Sequence, residues 1–263
     1  ADNYTNLGRH ADAYLIVNAT PVGMYPNNGA RPVDLTLFPA CRAAVDLIYN
    51  PARTAFLLQA EALGIPAANG LDMLVAQARR SCEVFTGSAL EENVIERIVR
   101  VLTNEMRNIV LVGMPGCGKT TVARLLSEKT GRPVVDADAL IAERAGCSIP
   151  EIFARDGEEG FRKLETAVLQ DVGRRSGAII ATGGGCVMRP ENYVPLHQNG
   201  LIVWLKRDID RLPREGRPLS QGDLHAMYDR RAPLYAVFAD CTADNNGAAE
   251  ETVRQIEAHM SEK

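Results

Sequence analysis

Short apolar runs alternate along the chain with longer segments in which apolar residues recur every three or four positions. Tyr14 to Val17 (YLIV) is a continuous apolar run of strand length, and it gives way to NATPVGMYPNNGARP, a stretch of turn formers that reads as a loop. Ala44 to Tyr49 (AVDLIY) predicts a second strand. NPART then leads into a helical stretch over Ala55 to Leu63 that stops at Gly64, and Met73 to Phe85 predicts another that stops at Gly87. Leu90 to Leu102 carries apolar residues at 94, 95, 98, 99 and 102 with charges between them, the spacing of one helix face. No Gly/Ser/Pro-rich linker follows, and a strand over Ile109 to Val112 begins almost at once. From there NIVLVG runs into the loop GMPGCGKTT, VARLLSEKTG reads as a helix closed by Gly131, and VVDAD is a strand ending in acids. AIIATGGG is a third strand running into glycines and LIVWLKR a fourth. Strands separated by helices imply an α/β fold, a parallel sheet with helices on both faces. In such sheets ligands collect at the carboxyl ends of the strands. The two α/β halves do not match each other, and there is no internal repeat.

Composition narrows the picture only a little. A chain of 263 residues with 46% hydrophobic and 24% charged residues is one large globular domain or two modest ones. A net charge of −4 gives no global basic field, so neither nucleic acid nor an anionic membrane is an expected partner. No apolar run approaches the ~20 residues of a spanning helix. The start, ADNYTNLGRHADAY, lacks the basic and apolar regions of a secretory signal and an initiator Met, which suggests a processed or cut chain. Six scattered cysteines with no C-x-x-C argue against a zinc site or a disulfide scaffold and fit reduced thiols in a cytoplasmic protein. Four scattered histidines offer no metal site of their own.

Candidate chemistry begins at residue 113. Gly113 to Thr120 fits G-x-x-x-x-G-K-[ST], with an apolar strand before it and an amphipathic helix after it. Glycines let backbone N–H groups turn toward one anion, and the helix N-terminus adds partial positive charge. The expected nucleotide site is Gly116, Cys117, Gly118, Lys119, Thr120 and Thr121, with Lys119 reaching the β- and γ-phosphates and the Thr120 hydroxyl on Mg²⁺. Cys117 fills a variable position and reads as a small loop residue rather than a nucleophile. Such a loop does not separate a GTPase, a motor and a small-molecule kinase.

The downstream segments do. Asp136 and Asp138 stand two apart in what reads as extended chain, so both side chains face one site. One would turn toward a metal's water shell and the other toward a substrate hydroxyl; solvated acids opening a helix are the plainer reading. Arg162, between Phe161 and Leu164, reads equally as a helix-surface charge. Gly183, Gly184 and Gly185 let a ligand approach the backbone. Arg217 and Arg231 offer guanidinium groups for a carboxylate and for a charged transition state.

Together, GMPGCGKTT, DAD followed by a helix, FRKLE, TGGG, RPL and RRAPLY resemble, in order, the motifs of the shikimate kinase family, over about residues 107–258. The resemblance implies ATP-dependent phosphorylation of the 3-hydroxyl of shikimate, on the way to chorismate and the aromatic amino acids. It implies Lys119, Asp138 and Arg217 as catalytic residues, Arg217 on a lid over the reacting phosphates. Thr120 and Asp136 would serve the magnesium ion. Asp138, Arg162, Gly184 and Arg231 would bind shikimate, the two arginines gripping its carboxylate, with Glu165 orienting Arg162. The lid segment RDIDRLPREG is shorter than in many relatives, and no adenine contact is assigned to Arg211 or Arg214.

The first half, over about residues 1–103, resembles the carboxyl-terminal part of shikimate dehydrogenase in VNATPVGMYP, AVDLIYNPARTAFLLQAEALG and NGLDMLVAQARRSCEVFTG. That resemblance implies Asn18, Ala19 and Thr20 near a dinucleotide, Tyr49 and Gln77 toward substrate, and Gly70 near the nicotinamide. Yet no G-x-G-x-x-G/A occurs before residue 108, and the first lysine of the chain is Lys119. The expectation is an inactive dehydrogenase fragment (1–104) joined to a complete kinase (105–263), with NADP(H) relevant only to an intact parent. Two alternatives are another P-loop small-molecule kinase, or a regulatory module that binds ATP without catalysis. Lys119, Asp138 and Arg217 argue against the second.

Overall fold

The structure is a computed structural model in which residues 3–212 and 224–261 are described. Its contacts divide the chain into two compact units, Ala1–Glu105 and Met106–Lys263.

In the first unit β1 (Leu15–Asn18), β2 (Ala43–Asp46) and β3 (Ala67–Ala68) form a parallel sheet in that order. Helix α1 (Ala55–Ala62) crosses from β2 to β3, and α2 (Leu71–Thr86) and α3 (Val94–Met106) follow. Leu35, Phe38, Ala44, Phe56 and Leu57 form its core. The predicted strand over AVDLIY ends early, at Asp46, because that buried carboxylate caps a turn. Asp46 Oδ1 accepts from the Ile48 N–H at 3.0 Å and from Asn18 Nδ2 at 3.0 Å, and Oδ2 accepts from the Thr54 hydroxyl at 2.6 Å. A side chain that satisfies the backbone locally outcompetes the sheet ladder. The two alanines of β3 are too short to leave a pattern. Helix α3 begins at Val94 instead of Leu90, because residues 91–93 make a turn in which the Val94 N–H donates to the Glu91 carbonyl.

The second unit is built on β4 (Asn108–Val112), β5 (Val134–Asp136), β6 (Ile179–Ala181), β7 (Gly200–Lys206) and β8 (Cys241–Asp244), all parallel, in the order β5-β6-β4-β7-β8. Every residue of the central strand β4 is buried, which is why it reads as an unbroken apolar run rather than an alternating one. Val110 pairs with Ile180 on one side and Ile202 on the other. Helices α4 (Lys119–Thr130), α5 (Ala137–Ala145), α6 (Ile149–Val172), α7 (Tyr193–His197), α8 (Leu224–Phe238) and α9 (Ala249–Ser261) lie between and after the strands. Edge strand β8, CTAD, went unpredicted because only Ala243 of its four residues is buried. Helix α6 opens on a Ser148/Glu151 capping box and kinks at Gly157, whose φ of 70° is open to glycine. Beyond the kink Phe161, Arg162, Glu165, Val168 and Leu169 form its buried face. Among the described residues no helix is long and apolar enough to cross a membrane.

Candidate active site

The carboxyl ends of β4, β5, β6 and β7 meet around a cleft of about 820 Å³. From β4 the chain enters the loop 113–118, and Gly118 becomes the N-cap of α4 with φ 101°. A Cβ there would stand 2.5 Å from Asn245 Nδ2, so the position demands glycine on both counts. Lys119 is 9% exposed, and its ammonium folds back to donate to the carbonyls of Gly113 at 2.8 Å and Met114 at 3.0 Å. Thr120 and Thr121 line the cleft beside it. Cys117 is fully buried, as a loop-packing residue would be.

The two acids reach the cleft by a route other than the predicted one. Only Asp136 belongs to the strand, and it ends it: its carboxylate caps α5 by accepting from the Ala139 N–H at 3.1 Å. Asp138 lies in the first turn of α5, so the argument from alternation along an extended chain fails. A strand end and a helix start bring both carboxylates to the same opening.

Arg162 is no surface charge. It is 7% exposed, with Nη1 donating to Glu165 Oε2 at 2.8 Å and Nη2 to Glu158 Oε1 at 3.3 Å. Burial pushes the Glu165 carboxyl above its ordinary pKa, the Arg162 guanidinium offsets part of that rise, and the nearby Asp138 adds to it. The three glycines allow the β6 end to approach these charges. A Cβ on Gly183 would stand 2.6 Å from Asp138 Oδ1 and 3.1 Å from Glu165 Oε1, and one on Gly185 would collide with the Arg162 guanidinium. The Gly184 carbonyl accepts from Arg231 Nη1 at 3.2 Å and from the Tyr235 hydroxyl at 2.5 Å. Arg231 is 7% exposed, and its Nε has no hydrogen-bond partner among the described residues.

Sequence reasoning missed Tyr235 and Asn245. Tyr235 is fully buried, stacks on Trp204, and has its hydroxyl pushed far above the ordinary phenol range, chiefly by burial. Its signal was the spacing in RRAPLY, which sets Arg231 and Tyr235 one helical turn apart. Asn245, at the end of β8, donates to the Cys117 carbonyl at 2.6 Å and accepts from the Thr252 hydroxyl at 2.8 Å, tying the loop to α9. Nothing local in TADNN marks it. Cys186 is a buried thiol pushed up to about 12 by burial, donating to Thr182. Arg211 donates to the Asn246 carbonyl at 2.7 Å. Arg217 and Arg214 lie outside the described residues.

In the first unit Asn18 is buried in the Asp46 network, and its Oδ1 accepts from the Thr20 N–H and hydroxyl. Tyr49 is 39% exposed, and Gln77 is exposed and bonds Ser81. Gly70 packs its Cα against the Leu47 carbonyl, where a Cβ would clash. The structure therefore gives Asn18 and Gly70 a clear packing role.

The family model for shikimate kinase matches residues 115–261. A shikimate kinase of Synechococcus sp. (strain RCC307) is 48% identical over 139 residues, 49% of this chain and 71% of that one. Another, from Symbiobacterium thermophilum, is 40% identical over 171 residues, 59% of this chain and 97% of that one. Among solved structures, a shikimate kinase from Acinetobacter baumannii in complex with shikimate aligns with a TM-score of 0.55 at 33% identity, over 62% of this chain and 98% of that one. A chorismate mutase/shikimate 5-dehydrogenase fusion protein from Clostridium acetobutylicum is 41% identical over 36% of each chain, with a TM-score of 0.34. Phosphate loop, paired acids, buried arginines and glycine run share one cleft in the span that the family model covers: the chain belongs to the shikimate kinase family, whose members transfer a phosphoryl group from ATP to shikimate.

Proposed function

We propose that the cleft of the second unit binds ATP at the 113–121 loop and shikimate between α5, α6 and the β6 end, with roles divided among named residues. One observation carries this reading: Asp138, Arg162, Gly183–Gly185 and Arg231 surround the same cleft as the Lys119 loop. Lys119 releases its two loop carbonyls to take the β- and γ-phosphates. Arg162, held by Glu165, and Arg231, whose Nε has no partner among the described residues, grip the substrate carboxylate in guanidinium forks. Asp138 orients the acceptor hydroxyl and accepts its proton as that oxygen bonds the γ-phosphorus and the bond from the γ-phosphorus to the β–γ bridging oxygen breaks, releasing ADP. The Gly184 backbone contacts substrate, and Arg217 stabilises the charge that develops on the transferred group. Transfer of this kind depends on positioning and charge neutralisation more than on covalent chemistry.

A metal ion accompanies ATP, and magnesium fits the donors present. Among the described residues no three His, Cys, Asp or Glu side chains group as a ligand set. The Thr120 hydroxyl and Asp136 carboxylate are hard oxygen donors at the cleft, suited to an ion that is shared with phosphates. When bound, magnesium supplies neutralisation of the phosphate charge.

Residues 105–263 are the kinase, and residues 1–104 derive from the carboxyl-terminal part of a dehydrogenase without activity of their own. The missing glycine fingerprint and the absence of any lysine before Lys119 support the second statement. NADP(H) belongs only to an intact parent. Six free cysteines support a reducing, cytoplasmic location, and a net charge of −4 supports neither nucleic acid nor an anionic membrane as a partner. The test is a coupled assay of ADP release with and without shikimate. Shikimate-dependent turnover is expected, with Asp138→Asn losing it while still binding ADP. Equal loss of turnover and ADP binding would contradict the role of Asp138.

A further inference from the structure

We propose that Arg207 is a nucleotide-binding residue, its guanidinium holding the phosphates that ATP and ADP have in common. The proposal rests on the loop 113–121 being the nucleotide site. Each of the other described cations at the cleft has a partner within the protein. Lys119 donates to two loop carbonyls, Arg162 to Glu165 and Glu158, Arg231 to Gly184, and Arg211 to Asn246. Arg207 lines the same cleft with no hydrogen bond or ion pair among the described residues, and its Nε is shut off from solvent without a partner. A buried donor left open in this way calls for a ligand that supplies the acceptor.

Position names the ligand. Arg207 follows Lys206, the last residue of β7, so its backbone is fixed by the sheet next to β4. A Cβ on Gly118 would stand 3.8 Å from Arg207 Nη1, which puts the guanidinium beside the N-cap of α4, the end of a helix whose first N–H groups lack intrahelical acceptors. Asn245 Nδ2 lies against the same glycine, 2.5 Å from that Cβ position, and braces the loop through the Cys117 carbonyl. The carboxylate-gripping arginines and Asp138 belong to α5, α6 and α8, on other walls of the cleft. Arg207 therefore serves the diphosphate. A guanidinium is suited to it, since its fork donates to two oxygens at once.

The experiment is titration calorimetry of the full chain with ADP and, separately, with shikimate, together with KM for ATP. Arg207→Ala is expected to raise the ADP Kd and the ATP KM by a common factor of about ten, ~1.4 kcal/mol. Shikimate affinity measured without nucleotide should stay within about twofold, since that end of the cleft is untouched. ADP affinity of the unaltered protein should fall more steeply with salt than that of Arg207→Ala. Arg207→Lys, which keeps the charge but not the fork, should fall between the two. Unchanged ADP binding, or an equal loss of shikimate binding, would overturn the role of Arg207. Failure of the unaltered chain to bind ADP would instead overturn the nucleotide site itself. Should the alanine variant not fold, Arg207→Gln keeps most of the side chain's length and gives the same reading.

Discussion

Replacing Glu165 by alanine tests the arrangement of the acceptor end most directly. The Glu165 side chain is 1% exposed, the Arg162 side chain 8%, and the ion pair between them is 2.8 Å long. Removing the carboxylate strands a buried guanidinium, a loss of about 3–5 kcal/mol. Glu158 cannot substitute, because its carboxylate is 70% exposed and 3.3 Å away, where water screens it. At roughly 2–4 °C per kcal/mol for a unit of this size, the melting transition should fall by about 6–20 °C. Calorimetry should follow the transition that ADP moves upward, which identifies the kinase unit through linkage. Arg162 would also lose its aim, so KM for shikimate should rise about tenfold or more. The pH dependence has a definite sign. Burial raises the folded pKa of Glu165 above its unfolded value, so its contribution to stability is full below the ordinary carboxylate range and declines as pH rises through the folded value. Glu165→Gln, which imitates the protonated form, should therefore approach the unaltered protein in stability as pH falls. A Glu165→Ala melt within about 2 °C of the unaltered protein, or an equal cost for Glu158→Ala, would refute this role of Glu165.

Two further changes probe the glycines. Tyr235→Phe leaves the Gly184 carbonyl with Arg231 as its remaining donor and should cost about 0.5–1.5 kcal/mol in chemical denaturation. Burial raises the Tyr235 hydroxyl, so its stabilisation holds below the ordinary phenol pKa of about 10 and is lost above it. The unaltered protein should thus lose more stability than Tyr235→Phe between about pH 9 and 11, and parallel curves would count against the buried phenol. Gly118→Ala forces a side chain into φ 101° and against Asn245 Nδ2, and should weaken ADP binding at least about tenfold; normal ADP affinity would show that the loop relaxes freely.

The elements most legible in the sequence were those whose surroundings are uniform. Strand β4 is buried at every residue, so NIVLV announces itself, and the loop after it carries a pattern fixed by phosphate chemistry. Edge strand β8 and the two-residue β3 were illegible because their pairing is decided by neighbours distant in sequence. AVDLIY misled because a carboxylate at its centre binds groups 28 residues before it and eight after it.

The sequence by itself determined the parallel α/β plan, the phosphate loop and the identity of the charged side chains available to the second unit, since periodicity and spacing are local. Tertiary structure alone decided what those side chains became. Arg162 in the sequence was one charge on a helix; packing of α6 against the β6 glycines made it a buried cation with one dedicated carboxylate. Asp136 and Asp138 meet because a strand stops where a helix starts, not because they alternate. Asn245, Tyr235 and Arg207 acquired their places only when β7, β8 and α8 were set beside the loop. Burial and long-range hydrogen bonding are properties of that assembly, and no stretch of sequence carries them alone.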